Sequence, residues 1–183
     1  AMDYWANVEA VVWFAEQVFP HIRQRNPQAR FVIVGGKPSD EVKRLQKSDG
    51  ITVTGAVEDV RPYVAHAVAA VAPLRIAQGV QNKVLEALAM AKPVLATPKA
   101  MEGIRSCAGM ERWVTDQPVA LAAKAITLLE DGATHRELVD QVGAVGRRCV
   151  EKGYSWDINL ERALLAVKGD ESSRPMDQEV GER

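Results

Sequence analysis

The chain has 183 residues, 47% of them hydrophobic and 26% charged, a balance that suits one globular domain and excludes an intrinsically disordered polypeptide. Its net charge of -1 leaves no global positive field to draw it to nucleic acid or an anionic membrane. No run of about 18 apolar residues exists, which excludes a transmembrane helix.

Ala1 before Met2 resembles a tag scar, so the chain is expected to be an excised piece of a longer protein. The first helix follows at once. Val8, Val11, Val12, Ala15, Val18, Phe19 and Ile22 recur at i, i+3, i+4, i+7 spacing and form a core-facing stripe. Asn7 is the expected cap and Asn26-Pro27 the stop, while Pro20 kinks the helix or starts a second one. Arg30 to Val34 is a β-branched run ended by Gly35-Gly36, the pattern of a buried strand. A polar helix is expected from Asp40 to Lys47, capped by Ser39 or Asp40, then a second strand over Ile51 to Thr54.

A short helix over Asp59 to Ala67 leads to a third strand, Ala69 to Leu74. Gly79 opens a helix from Val80 to about Met90 with Val84, Leu85, Leu88 and Ala89 on its core side. Pro93 to Thr97 is a fourth strand and Arg112 to Thr115 a short fifth; helices follow over Pro118 to Glu130, Thr134 to Glu151 and Trp156 to Val167. Strands alternating with helices predict an α/β fold, a Rossmann-like, doubly wound parallel sheet with helices on both faces. Residues 1–167 form this domain, and 168–183, with three basic and five acidic residues and no aliphatic period, form a disordered acidic tail.

Ligands of such sheets bind in the loops after the strands. Here those are Gly35 to Ser39, Gly55 to Asp59, Arg75 to Gln81 and Pro98 to Arg105. Gly35-Gly36-Lys37-Pro38-Ser39 matches neither a P-loop nor G-x-G-x-x-G. It is read either as a tight turn needing positive φ or as a close backbone approach to a ligand. The stretch from Arg75 to Leu88 says more. Exposed N–H groups and partial positive charge at the helix start after Gly79 suit a phosphate, with Arg75 and Lys83 as flanking cations. Glu86 lies off the apolar stripe, roughly 9–10 Å along the axis from that start. It is either a solvated residue paired with Lys83 or Lys92, or a carboxylate that receives a sugar hydroxyl.

Elsewhere the chemistry is sparse. His21, His66 and His135 show no metal-ligand spacing, and His66 and His135 have no catalytic partner at a recognisable distance in sequence. Cys107 and Cys149 are too few for a disulfide framework and are expected to be reduced, structural thiols of a cytosolic domain. Trp5, Trp13, Trp113 and Trp156 are read as packing anchors. Glu102-Gly103-Ile104, after the fourth strand, lies at the ligand end of the sheet and is a further candidate contact.

The segment Glu86-Ala87-Leu88-Ala89-Met90-Ala91-Lys92-Pro93-Val94-Leu95-Ala96-Thr97 resembles the signature of group 1 (family 4) retaining glycosyltransferases of the GT-B fold, E-x7-E followed by E-A-(M/L)-A-x-G-x-P-V-(V/I)-A-(T/S). Asn7 to Ala10, Phe31 to Gly35, Val53 to Asp59 and Tyr154-Ser155-Trp156 resemble further segments of the same family, in the order of its carboxy-terminal domain. The resemblance implies the donor half of a two-domain sugar transferase. Such a domain binds a nucleotide-sugar, uses no cofactor or metal, and shares its acceptor with an amino-terminal domain. It further implies transfer with retention to a saccharide or lipid-linked acceptor, in exopolysaccharide or cell-surface glycan synthesis. The location implied is cytoplasmic, with peripheral membrane association of the full-length protein and no nucleic-acid partner.

Carried over by position, Glu86 is the second glutamate of E-x7-E, which binds the ribose hydroxyls. Gly79 and Val80 are the turn whose amides meet the diphosphate, Val57 and Glu58 line the base, and Gly35 lies under the nucleotide. Together with Glu86, Gln78 is the catalytic candidate. It stands where the family has its first glutamate, and its amide bonds a hydroxyl without charge. Ala91 replaces the usual glycine, and the family's basic pair has no counterpart near Asp3 to Ala6. Two rival readings follow, a catalytically degenerate nucleotide-binding module and the dinucleotide-binding domain of an oxidoreductase. The latter needs a glycine-rich turn after the first strand and an acid after the second, and neither is evident.

Overall fold

The structure, a computed structural model, describes residues 1–105, 108–130 and 133–154. The expected helix at 156–167 and tail at 168–183 lie outside them. The described residues form a mixed α/β fold with parallel strands, as the alternation predicts. Helix α1 (Trp5–Trp13) runs through a π-helical turn (Phe14–Val18) into α2 (Phe19–Arg25). The π turn lies just before Pro20, which lacks the amide an α-helix would use and sits in the first turn of α2, where that amide is not needed. Asn7 does not cap α1. Tyr4 does, its carbonyl accepting from the amides of Asn7 and Val8 at 2.9 and 3.1 Å.

Strand β1 (Phe31–Val34) pairs in parallel with β2 (Ile51–Gly55), and β3 (Ala70–Ala72) with β4 (Val94–Ala96). The two pairs form separate two-stranded sheets. The expected fifth strand contracts to one bridge, Ala96 to Val114, beside a 3-10 turn at Glu111–Trp113. Between β1 and β2 lie α3 (Asp40–Arg44) and a 3-10 turn (Leu45–Lys47); Ser39 caps α3, its Oγ accepting from the Val42 amide at 3.3 Å. Helices α4 (Arg61–His66), α5 (Asn82–Ala89), α6 (Pro98–Met101), α7 (Pro118–Leu129) and α8 (Ala133–Tyr154) complete the described chain.

One apolar cluster joins Val8, Val11, Phe14 and Val18 to Ile33, Ile51, Leu95 and Trp113 and to Leu121 and Leu128 of α7. Phe14 and Phe31 stack tilted at 4.7 Å between centroids, an arrangement that adds about 1 kcal/mol beyond burial. A second cluster gathers Leu74, Val84, Leu88, Val94 and Ile104, with Ala10 reaching it from α1. Helix α1 therefore serves both clusters.

Helix α8 lies against α5 through glycines. A Cβ on Gly143 would stand 1.9 Å from the Ala91 carbonyl oxygen, and one on Gly146 2.6 Å from Leu88 Cδ2. At Gly143 only bare backbone fits, which explains a glycine inside a helix that it would otherwise weaken, while at Gly146 the close neighbour is the tip of the Leu88 side chain. Cys149 on α8 is disulfide-bonded, against the expectation of a reduced thiol there. Pairing depends on Cβ proximity, which tertiary packing sets and sequence spacing does not. Cys107 lies outside the described residues.

Candidate functional site

The carboxyl ends of β3 and β4 carry the site. Leu74 follows β3, and its carbonyl accepts from the buried Thr97 hydroxyl, whose oxygen also caps α6 by accepting from the Ala100 amide at 3.2 Å. That pins the two strand ends together. The chain then makes an extended turn through Gln78 to Gln81, with Gly79 at φ +66°. Helix α5 begins only at Asn82, not at Val80 as expected, because Gln81 before it is extended (φ -92°, ψ 97°) and stands as the N-cap. Glu86 is thus about 6 Å, not 9–10 Å, from the helix start.

Two contacts hold the turn. Gln81 Nε2 donates to the carbonyls of Gln78 and Gly79 at 3.2 and 3.3 Å. Gly103 packs against it so closely that a Cβ there would lie 2.6 Å from the Gly79 carbonyl and 2.8 Å from the Val80 nitrogen. Arg105 steadies the loop behind, its amide donating to Tyr154 Oη at 2.8 Å and its Nη1 to the Gly153 carbonyl at 2.7 Å. The amides of Gly79, Val80, Asn82 and Lys83 have no acceptor among the described residues. They form a set of free donors at a helix start, the ordinary cradle for an anion.

Lys83 is the cation beside them. Its Nζ donates to Asn7 Oδ1 at 2.7 Å, and it lines a cavity of about 380 Å³ with Tyr4, Trp5, Asn7, Gln78 and Gln81. The residue as a whole is exposed, but desolvation of the ammonium holds its pKa below the ordinary lysine value of 10.5. Arg75 is occupied elsewhere. Its Nε donates to Glu9 Oε1 at 2.7 Å and its guanidinium lies 5.4 Å over the Trp13 ring. The other oxygen of Glu9 is buried and has no hydrogen-bond partner among the described residues.

Glu86 is exposed on α5, and its carboxylate has no hydrogen bond or ion pair among the described residues. Neither Lys83 nor Lys92 pairs with it. It does not line the cavity that holds Gln78 and Lys83. On the core side of α5 are Val84, Ala87 and Leu88, with Ala89 exposed. The helix ends in a Schellman motif, Lys92 N to Ala87 O at 3.0 Å and Ala91 N to Leu88 O at 2.9 Å, with Ala91 at φ +54°.

The loops of the first strand pair stand apart from this cavity. The Gly35 amide donates to the Gly55 carbonyl at 3.2 Å, but the positive φ falls on Lys37 (+53°) and Gly55 (+72°) and not on Gly35 or Gly36. Over Gly35 lies Met2, whose Cγ would be 2.9 Å from a Cβ there. Val57 is half-buried and Glu58 exposed. Asp59, which accepts from the Arg61 amide and Nε at 2.9 Å, has its pKa lowered by those hydrogen bonds. Sequence reasoning missed Asn7 and Gln81 as parts of the site; it named Gly103 as a candidate ligand contact but not its packing against Gly79. A polar amide just before a helix was the one available signal for Gln81.

Among the described residues no three His, Cys, Asp or Glu side chains gather as a metal-binding group, and no helix is long and apolar enough to cross a membrane. No curated protein gives a significant match to the chain. A family model described as "Glycosyl transferases group 1" matches residues 1–131. That span contains the Gly79 turn, Lys83, Glu86 and Gly103, and on it the chain belongs to the group 1 glycosyl transferases.

Proposed function

We propose that this domain binds the nucleotide-sugar donor of a retaining sugar transferase and stabilises its nucleoside diphosphate leaving group. The observation that carries the reading is the Gly79 turn: four free amides at the start of α5, with a lysine ammonium beside them and an unpartnered carboxylate on the same helix. Diphosphate oxygens accept from the amides of Gly79, Val80, Asn82 and Lys83, and the helix dipole and the Lys83 ammonium offset the charge that develops as the glycosidic bond breaks. Glu86 accepts from the ribose hydroxyls. Gln78, inside the cavity, contacts the donor sugar, and Gly35, Val57 and Glu58 border the base.

Lys83 is the better cation of the two, since Arg75 is already paired with Glu9 and stacked on Trp13. The acceptor, a saccharide or a lipid-linked one in exopolysaccharide or cell-surface glycan synthesis, binds a second domain. The full-length protein works at the cytoplasmic face, as a peripheral membrane protein where the acceptor is lipid-borne. The amide of Gln78 in place of a carboxylate favours a second reading, a binding module without turnover.

Thermal unfolding with UDP, GDP, ADP and NAD tests the proposal. One nucleoside diphosphate at tenfold excess over its Kd stabilises the fold by about 1.4 kcal/mol. Stabilisation by NAD alone refutes the donor reading. Measurable turnover by the full-length protein excludes the binding-module reading.

A further inference from the structure

We propose that Asn7 is a positioning residue for donor binding: its neutral carboxamide holds the Lys83 ammonium beside the Gly79 turn and leaves the positive charge free to meet the diphosphate. The inference rests on the donor reading and deepens it.

Asn7 lies in the first turn of α1 and Lys83 in the first turn of α5. Their side chains meet at 2.7 Å, Nζ to Oδ1. An ammonium only donates, so the carboxamide must turn its oxygen towards the lysine. Its nitrogen is used at the other end, where Nδ2 donates to the Ala1 carbonyl at 2.9 Å. The carboxamide is thus tied at both ends and restrains a long, flexible side chain at one place. Asn7 Oδ1 is the only acceptor of the Lys83 ammonium among the described residues. Two of its three N–H donors therefore remain for a ligand.

The same helix treats the neighbouring cation differently. Glu9, two residues further along α1, accepts from Arg75 Nε at 2.7 Å, and that guanidinium also lies over the Trp13 ring. A carboxylate takes Arg75 out of play, whereas an amide leaves Lys83 its charge. The cavity that Lys83 lines is free of carboxylates. Tyr4 is the only other titratable side chain on it, beside the neutral Trp5, Gln78 and Gln81. Asp3 and Glu9 line a separate cavity with Arg75, and Glu86, three residues along α5, lines neither. Burial accordingly holds the Lys83 pKa below 10.5 with no facing carboxylate to raise it again. Stability does not explain the amide. A carboxylate at position 7 would suit the positive end of α1 and would form an ion pair with the lysine. It would also neutralise the cation that an incoming diphosphate needs.

Asn7→Asp and Asn7→Leu test the proposal, with Asn7→Leu also made in a Lys83→Met background. Calorimetric titration of UDP, GDP and ADP gives affinity, and urea melts give stability. NMR titration of the Lys83 Nζ signal, assigned by its loss in Lys83→Met, gives the pKa. Both single substitutions weaken binding of the preferred nucleoside diphosphate about tenfold, the worth of a charge-assisted hydrogen bond. They move the Lys83 pKa in opposite directions: Asn7→Asp raises it and Asn7→Leu lowers it. Asn7→Asp does this without loss of stability, and Asn7→Leu costs no further affinity once Lys83 is methionine. A purely structural contact would give parental affinity in Asn7→Asp, and that result overturns the proposal. So does a Lys83 pKa that Asn7→Asp leaves unmoved, or an Asn7→Leu loss that persists in the Lys83→Met background. A parent chain that binds none of the three nucleotides overturns the donor reading itself, and the proposal with it.

Discussion

Replacing Gly103 with alanine probes how the donor turn is held. The added Cβ would stand 2.6 Å from the Gly79 carbonyl carbon and oxygen and 2.8 Å from the Val80 nitrogen. Ordinary contact is about 3.5 Å, so the two loops must part by roughly 0.9 Å. Both partners are backbone, so no side chain can swing aside. Overpacking of this kind costs about 1–3 kcal/mol of stability. A turn moved that far no longer aims its amides at the diphosphate. Losing one charge-assisted hydrogen bond at about 1.5–3 kcal/mol weakens nucleoside diphosphate binding about tenfold to a hundredfold. Urea unfolding and calorimetric titration read the two effects separately. Gly36→Ala is the stability control, because its Cβ meets only Ala56 at 3.6 Å, an ordinary contact, and its midpoint stays within about 0.5 kcal/mol of the parent. If Gly103→Ala matches the parent in both stability and affinity, the close approach does not position the turn and the reasoning fails.

Ala91→Gly should stabilise the fold by about 0.5–1 kcal/mol in urea melts. Relief of a left-handed alanine gains about 1–2 kcal/mol, and the greater freedom of glycine in the unfolded chain offsets about 0.4–1 of it. For Lys83, desolvation lowers the pKa, so the folded protein releases this proton at lower pH than the unfolded chain does. Its contribution to stability is therefore fully present above the ordinary value of 10.5 and lost as pH falls through the folded pKa. Nucleoside diphosphate binding runs the other way. It needs the ammonium, so affinity falls as pH rises through the same window, and Lys83→Met flattens that part of the pH profile.

What the sequence revealed follows from how local each cause is. The β-branched runs at Phe31–Val34 and Ile51–Val53 and the serine before Asp40-Glu41 are local signals, and the structure has those strands and that cap. The start of α5 was misjudged because a glycine before an apolar stripe suggests a helix boundary, whereas the left-handed Gly79 adds an extended turn before Asn82. Ala91 could be noted only as a departure from the family pattern. Its left-handed φ shows why glycine is usual there. Contacts made by bringing distant segments together left no local trace. Lys83 to Asn7, Gly103 to Gly79 and Gly143 to Ala91 are of this kind, as is the disulfide at Cys149.

The central claim is that α5 and the turn before it bind the donor nucleotide, with Glu86 on the ribose. The Glu86 carboxylate has no hydrogen-bond or ion-pair partner among the described residues, so its removal should change stability little. Calorimetric titration of the preferred nucleoside diphosphate into the parent and into Glu86→Ala, beside urea melts of both, tests this most directly. The account predicts a tenfold or larger loss of affinity, as expected for a hydrogen-bonded charged group, with stability unchanged to within about 0.5 kcal/mol. Equal affinity in the two proteins would contradict it.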